Sequence, residues 1–152
     1  MVEVASDFFH TLFHAVASDQ MEECLNVVHT RVTVDMKVVL SSELTADEVR
    51  MALFQMGPTK ALGPDGMNAL FYQKFWHIVG DDVVCVVLDF LNNGNMLPKI
   101  NHTNIVLLPK VKDPEKMFDF RQISLCNVIY KIISKVLANK LKPVLPRIIS
   151  PT

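Results

Sequence analysis

Beyond Asp119 the sequence has no aspartate or glutamate, although the 152 residues hold 16 acids against 15 lysines and arginines. Residues 1–97 carry 5 basic and 13 acidic side chains, a net of −8. Residues 98–152 carry 10 basic and 3 acidic, a net of +7. The overall charge of −1 therefore hides a polarised chain whose C-terminal third suits a polyanion. Cysteine is scarce as well. Cys24, Cys85 and Cys126 form no C-x-x-C pair, which argues against a disulfide frame or a zinc site. They read as three reduced core thiols of an intracellular protein, cytoplasmic or nuclear. Long apolar runs are missing too. The longest is Val83 to Leu88, far short of the roughly 20 residues that span a bilayer, and no basic segment followed by an apolar one marks a secretory signal. No membrane partner is expected.

What is present is ample for a core, since 50% of the residues are apolar. Ile105, Val106, Leu107 and Leu108 form an apolar run that stops at Pro109-Lys110. Proline cannot donate to a ladder, so Pro109 belongs at a strand end or edge. Lys110, Lys112 and Lys116 follow before a return strand delivers Arg121, which makes a hairpin that projects several cations. The rest reads as helical. Val4, Phe8, Leu12 and Phe13 share a face in an amphipathic helix over 2–17. His10 and His14 lie i, i+4 there, but no third ligand accompanies them, so they read as solvent-facing or partly buried. A second helix is expected over Met21 to His29, and Val32 to Leu40 is either a short helix or an extended connection. Thr45 and Glu48 make a capping box for a helix over Thr45 to Met56, with Leu44 and Val49 at its staple positions. Gly57-Pro58 ends it.

Lys60 to Gly66 is a tight loop in which Gly63 and Gly66 permit φ > 0 and Asp65 accepts from nearby amides. Taken alone it is a structural turn before a helix over Met67 to Ile78. It lacks the Gly-Lys-Ser/Thr ending of a P-loop. Asp81-Asp82 reads as the N-cap and first turn of a helix that stops at Asn93-Gly94. Ser124 is the expected cap of a long helix reaching Leu141. Its apolar face is Val128, Ile129, Ile132, Ile133, Val136, Leu137 and Leu141, with Lys131, Lys135 and Lys142 on the other side. That stripe reads either as a solvated lysine face or as nucleic-acid contact. Pro143 and Pro146 break the pattern. The fold class is α+β, mostly helical, with one β-hairpin (about 103–123) among amphipathic helices.

Several segments resemble one family. Lys60-Ala61-Leu62-Gly63-Pro64-Asp65-Gly66-Met67 resembles the K-A-P-G-P-D-G-M signature of LINE-type (non-long-terminal-repeat) retrotransposon reverse transcriptases, a group abundant in plant genomes. Phe71 to Trp76 is similar to the F-Y-Q-x-F-W run that follows, and Ile100 to Lys110 to I-N-x-T-x-I-x-L-I-P-K. Asp119 to Val128 resembles D-F-R-P-I-S-L-C-N-V, and Tyr130 to Lys135 continues the match. The motifs agree in order and spacing over essentially the whole chain. Leu62 and Gln122 stand where the family has proline. Leu62 loosens the approach to Gly63, and Gln122 adds a backbone donor to the return strand.

The resemblance implies the fingers subdomain of a right-hand polymerase. Residues 1–57 form a helical region upstream, and residues 58–152 a partial, incomplete fingers region. It makes Lys110 and Arg121 the leading contacts to nucleotide triphosphate or template backbone, with Lys112, Lys116, Lys131 and Lys135 as further nucleic-acid contacts. Gly63, Pro64, Asp65 and Gly66 form a structural motif. The implied partners are RNA or DNA template and dNTP. In the intact family Mg²⁺ is held by palm aspartates that come after the region matched, so no cofactor, no catalytic residue and no metal ligand is expected in these residues. The leading expectation is a fingers fragment inactive alone. The alternatives are a small nucleic-acid-binding module and an unselected helical relic that self-associates through exposed apolar surface.

Overall fold

The computed structural model describes residues 2–14, 26 and 31–149. They fall into two compact units, one drawn from Met1–Arg31 and Leu107–Ile123, the other from Val32–Val106 and Ser124–Thr152. The expected helix over Met21 to His29 lies, except for Asn26, outside the described residues, as does Cys24.

In the second unit, side-chain caps set the helix starts. Thr33 accepts from the Met36 amide at 3.4 Å and opens helix α2, Val34–Ser41, which resolves the ambiguous segment as helical. The capping box of α3, Ala46–Phe54, forms as expected. The Thr45 hydroxyl accepts from the Glu48 amide at 3.3 Å, and the Glu48 carboxylate accepts from the Thr45 amide at 2.8 Å. Val49, Ala52 and Leu53 of α3 are buried. At the other end of α3, Gln73 Nε2 donates to the Leu53 and Met56 carbonyls at 3.0 Å each. Both carbonyls lie where the regular ladder of α3 runs out, and the Leu53 carbonyl also accepts from the Met56 amide at 3.0 Å.

The stretch after the glycine loop differs from expectation. Asn68, not Met67, caps a short helix α4, Ala69–Lys74, by accepting from the Phe71 amide at 3.0 Å. The chain then turns at Phe75 and re-enters helix as α5, Trp76–Asn93. Asp81 and Asp82 therefore do not cap a helix. They sit on the exposed side of one that began five residues earlier. Gly80 survives in its interior because the Trp76 ring lies against it. A Cβ there would come within 2.8 Å of Trp76 Cε2. Gly94, at φ +75°, closes α5 as anticipated. Cys85 is exposed rather than a core thiol, because it lies two residues, about 200° of helix, from both buried Val83 and Val87.

A single turn α6, Pro98–Asn101, leads into the hairpin, and two helices follow it, α7, Val128–Leu141, and α8, Leu145–Ile148. The core lies among α3, α5 and α7, where Val49, Leu53, Val87, Val128, Ile132 and Val136 are fully buried or nearly so. Leu137 and Leu141 are each 44% exposed, contrary to the expected face. The helical period carries them well off the direction of Val128, Ile132 and Val136.

The sheet has two antiparallel strands, β1, Thr103–Pro109, and β2, Phe120–Cys126. Pro109 ends β1 as expected. Because β2 continues to Cys126, Ser124 is a strand residue and Asn127 takes the N-cap position of α7. The first unit adds α1, Val2–Phe13, whose Phe8 ring meets Phe118 edge-on at 4.8 Å. His10 and His14, with ring centroids 5.9 Å apart, are both exposed. Among the described residues no helix is long and apolar enough to cross a membrane.

Candidate nucleic-acid interface

The hairpin tip is built by Asp119. Its Oδ2 accepts from the Lys116 amide at 2.9 Å and the Glu115 amide at 3.1 Å. Its own amide donates to the Lys116 carbonyl at 2.9 Å, which closes the 3₁₀ turn Met117–Asp119. The Lys110 amide donates to the Asp119 carbonyl at 2.6 Å, and Lys110 Nζ donates to the Phe118 carbonyl at 2.8 Å. At the other end of the ladder, Thr103 Oγ1 meets Cys126 Sγ at 3.6 Å. Both contacts fit one register, in which Leu108 lies opposite Arg121. Side chains alternate along a strand, so Lys110 and Arg121 share a face of the hairpin with Leu108 and Ile123. Both cations are exposed, and Leu108 and Ile123 are 45% and 39% exposed. Lys112 and Lys116 are exposed in the connection between the strands.

The tip is less basic than its lysines suggest. Residues 110–121 hold four cations but also Asp113, Glu115 and Asp119, a net of +1. These are the only acids of the C-terminal third. The denser positive charge lies in residues 120–152, with six cations and no acid. Of those, Lys131 and Lys135 belong to the helical unit and are half-buried. Lys131 Nζ donates to the Ala61 carbonyl at 2.8 Å, and Lys140 Nζ reaches the Ser42 carbonyl. Two lysines of α7 thus hold loop carbonyls. Neither a freely solvated face nor one reserved for phosphate describes it fully.

The loop that Lys131 holds is the glycine motif. The Gly66 amide donates to the Gly63 carbonyl at 3.1 Å, Gly66 has φ +69°, and Asp65 Oδ1 accepts from the Met67 amide at 3.1 Å. Pro64 is half-buried in this turn. Gly63 sits against the start of α7, where an added Cβ would lie 2.6 Å from the Asn127 Cα. Leu62 is 46% exposed, while Gln122 points its Oε1 into a buried spot with no hydrogen-bond partner. Burial pushes the Tyr72 phenol above its usual pKa, and the Asp65 carboxylate adds to the rise.

No protein-family model matches the chain. It is 32% identical, over 152 residues, to the Transposon TX1 uncharacterized 149 kDa protein of Xenopus laevis. The chain resembles a transposon-encoded protein. The alignment takes in 97% of this chain and 11% of that protein, so the chain spans about a ninth of its relative's length. This similarity supports a transposon origin for the sequence.

Sequence reasoning singled out the cations and the glycine turn but missed Asp119, Gln73 and Asn127 as organising side chains. Asp119 and Asn127 both stand inside the D-F-R-to-C-N-V motif, and Gln73 inside the F-Y-Q motif. The motifs marked these positions without saying what they hold. Two-metal chemistry needs carboxylates converging on the ions. Among the described residues no group of three or more His, Cys, Asp or Glu is suited to a metal ion.

Proposed function

We propose that these residues are the fingers portion of a non-long-terminal-repeat retrotransposon reverse transcriptase, and that the hairpin face bearing Lys110 and Arg121 meets phosphate of template or incoming nucleotide. One observation carries the reading to a site: the hairpin register sets an exposed lysine and an exposed arginine on one face. The similarity to a transposon-encoded protein supports the origin. The chemistry suits it, since lysine offers a mobile point charge to phosphate and arginine a planar fork for two oxygens. Lys112 and Lys116 act at longer range, by attraction that fades with salt.

The test is binding of a labelled single-stranded RNA of about 20 nucleotides across a salt series. Each phosphate contact on a single strand contributes about 0.7 to the log–log slope. Lys110→Ala combined with Arg121→Ala should lower that slope by about 1.4. An unchanged slope would remove the hairpin face from the interface. With primer, template, dNTPs and Mg²⁺, the 152-residue chain should make no DNA, and template-directed synthesis would overturn the fingers reading.

A further inference from the structure

We propose that Asn127 is a positioning residue that latches the root of the hairpin to the glycine loop. The inference rests on the reading above for what the hairpin does, but not for how it is held. Apart from Tyr72 with its phenol, Asn127 is the one buried residue with a polar side chain among the described residues, 6% exposed. It occupies the N-cap position of α7, where an asparagine ordinarily accepts from the helix's own first amides. It makes no such bond.

Its amide reaches across the unit instead. Oδ1 accepts from the Asp65 amide at 3.3 Å, and Nδ2 donates to the Lys99 and Ile100 carbonyls at 2.9 and 3.3 Å. Only this orientation of the group works, because a flipped amide would face donor to donor and acceptor to two acceptors. Lys99 and Ile100 lie in α6, just before β1 begins at Thr103, and Asn127 directly follows the last residue of β2. One side chain therefore joins the entry and exit of the hairpin. The third partner is the glycine loop. Gly63 packs so closely on the Asn127 backbone that a methyl group would overlap its Cα and N, at 2.6 and 2.7 Å. Lys131, one turn along α7, holds the same loop by the Ala61 carbonyl. On this account the glycine motif does not bind phosphate. It is the seat against which the hairpin root is set.

Two variants approach the latch from opposite sides. Asn127→Asp keeps the acceptor for Asp65 but turns a carboxylate oxygen on two carbonyls, and Gly63→Ala pushes the loop off. Each should speed amide exchange at Asn104, Val106 and Leu125, whose amides face the partner strand in this register, by about tenfold or more, with exchange in the α3 and α5 cores unchanged. Each should also lower the salt slope of RNA binding. Mere loss of folded protein would instead scale affinity by one factor at every salt concentration. Gln73→Ala, which uncaps α3, is the control that should leave hairpin exchange and salt slope alone. Asn127→Ser serves where Asn127→Asp does not fold. Exchange that rises evenly through the chain, or hairpin amides that do not respond, would overturn the latch. If the wild-type chain binds no RNA, the phosphate reading fails, and the exchange pattern alone decides the latch.

Discussion

In the helical unit, two lysines and two amide side chains end on backbone carbonyls far along the chain: Lys131 on Ala61, Lys140 on Ser42, Gln73 on Leu53 and Met56, Asn127 on Lys99 and Ile100. In the hairpin unit, Lys110 makes one such bond, within its own turn, and Arg121, Lys112 and Lys116 stand exposed. The apolar residues divide the same way. Leu53 and Ile132 are fully buried, whereas Leu108 and Phe118 are 45% and 65% exposed. A helix end or tight loop leaves carbonyls that need donors, and a long cationic side chain nearby is drawn into supplying them. A two-stranded hairpin pairs its inner groups and leaves its side chains to solvent. Lysines therefore serve structure in one region, and in the other Lys112 and Lys116 stand exposed.

The largest expected effect tests the buried side of this contrast. Leu53→Ala removes a fully buried side chain near the C-terminal end of α3 and should cost about 2–5 kcal/mol in a urea melt. A loss below 1 kcal/mol would mean that the core is looser than its burial indicates. The next effect depends on pH. Tyr72 is buried, and its raised phenol pKa means that the unfolded chain releases its proton first, near pH 10. Above that value the unfolded state binds fewer protons than the folded one, so stability falls as pH rises. The Tyr72 contribution is intact below about pH 10 and is lost as pH climbs through the folded value. Subtracting a Tyr72→Phe series isolates it from the lysines, which titrate in the same range. The variant should lose stability less steeply above pH 10, and parallel curves would show that the phenol is not desolvated.

The elements legible in the sequence were those held by near neighbours. The Thr45–Glu48 box spans three residues, Gly94 closes on Phe90, and Pro109 stops its own strand. Asn127 was not legible in this way, because its partners lie 27, 28 and 62 residues away. The motif letters marked the position without showing what it binds. The start of α5 failed for a related reason. Gly80-Asp81-Asp82 has the local pattern of a helix start, and only the Trp76 ring against Gly80 explains an interior glycine. Ser124 looked like a cap until strand pairing claimed it. Among the exposed cations of the hairpin, Arg121 follows from the two-residue period of its strand, and Lys110, Lys112 and Lys116 from the strand end at Pro109. The acids among them, Asp113, Glu115 and Asp119, bring the net charge of residues 110–121 down to +1.

Asp119 gives the smallest effect on stability and the sharpest test of the comparison. Its carboxylate holds two amides of an exposed turn, so water can replace it, and Asp119→Ala should shift the melt by less than about 1 kcal/mol. Amide exchange at Glu115 and Lys116 should nevertheless rise, because that bond is local. The same change takes the net charge of residues 110–121 from +1 to +2, with four cations and two acids remaining. If the hairpin cations act as a diffuse patch, RNA binding should tighten with the added charge. If Lys110 and Arg121 act from fixed positions, binding should weaken despite it, because the Asp119 turn presents the Phe118 carbonyl to which Lys110 is tied. We expect weaker binding. Asp119→Asn, which retains one acceptor and loses the same charge, should fall between the variant and wild type. Tighter binding by both variants would show that charge alone, and not the geometry of the tip, governs the contact.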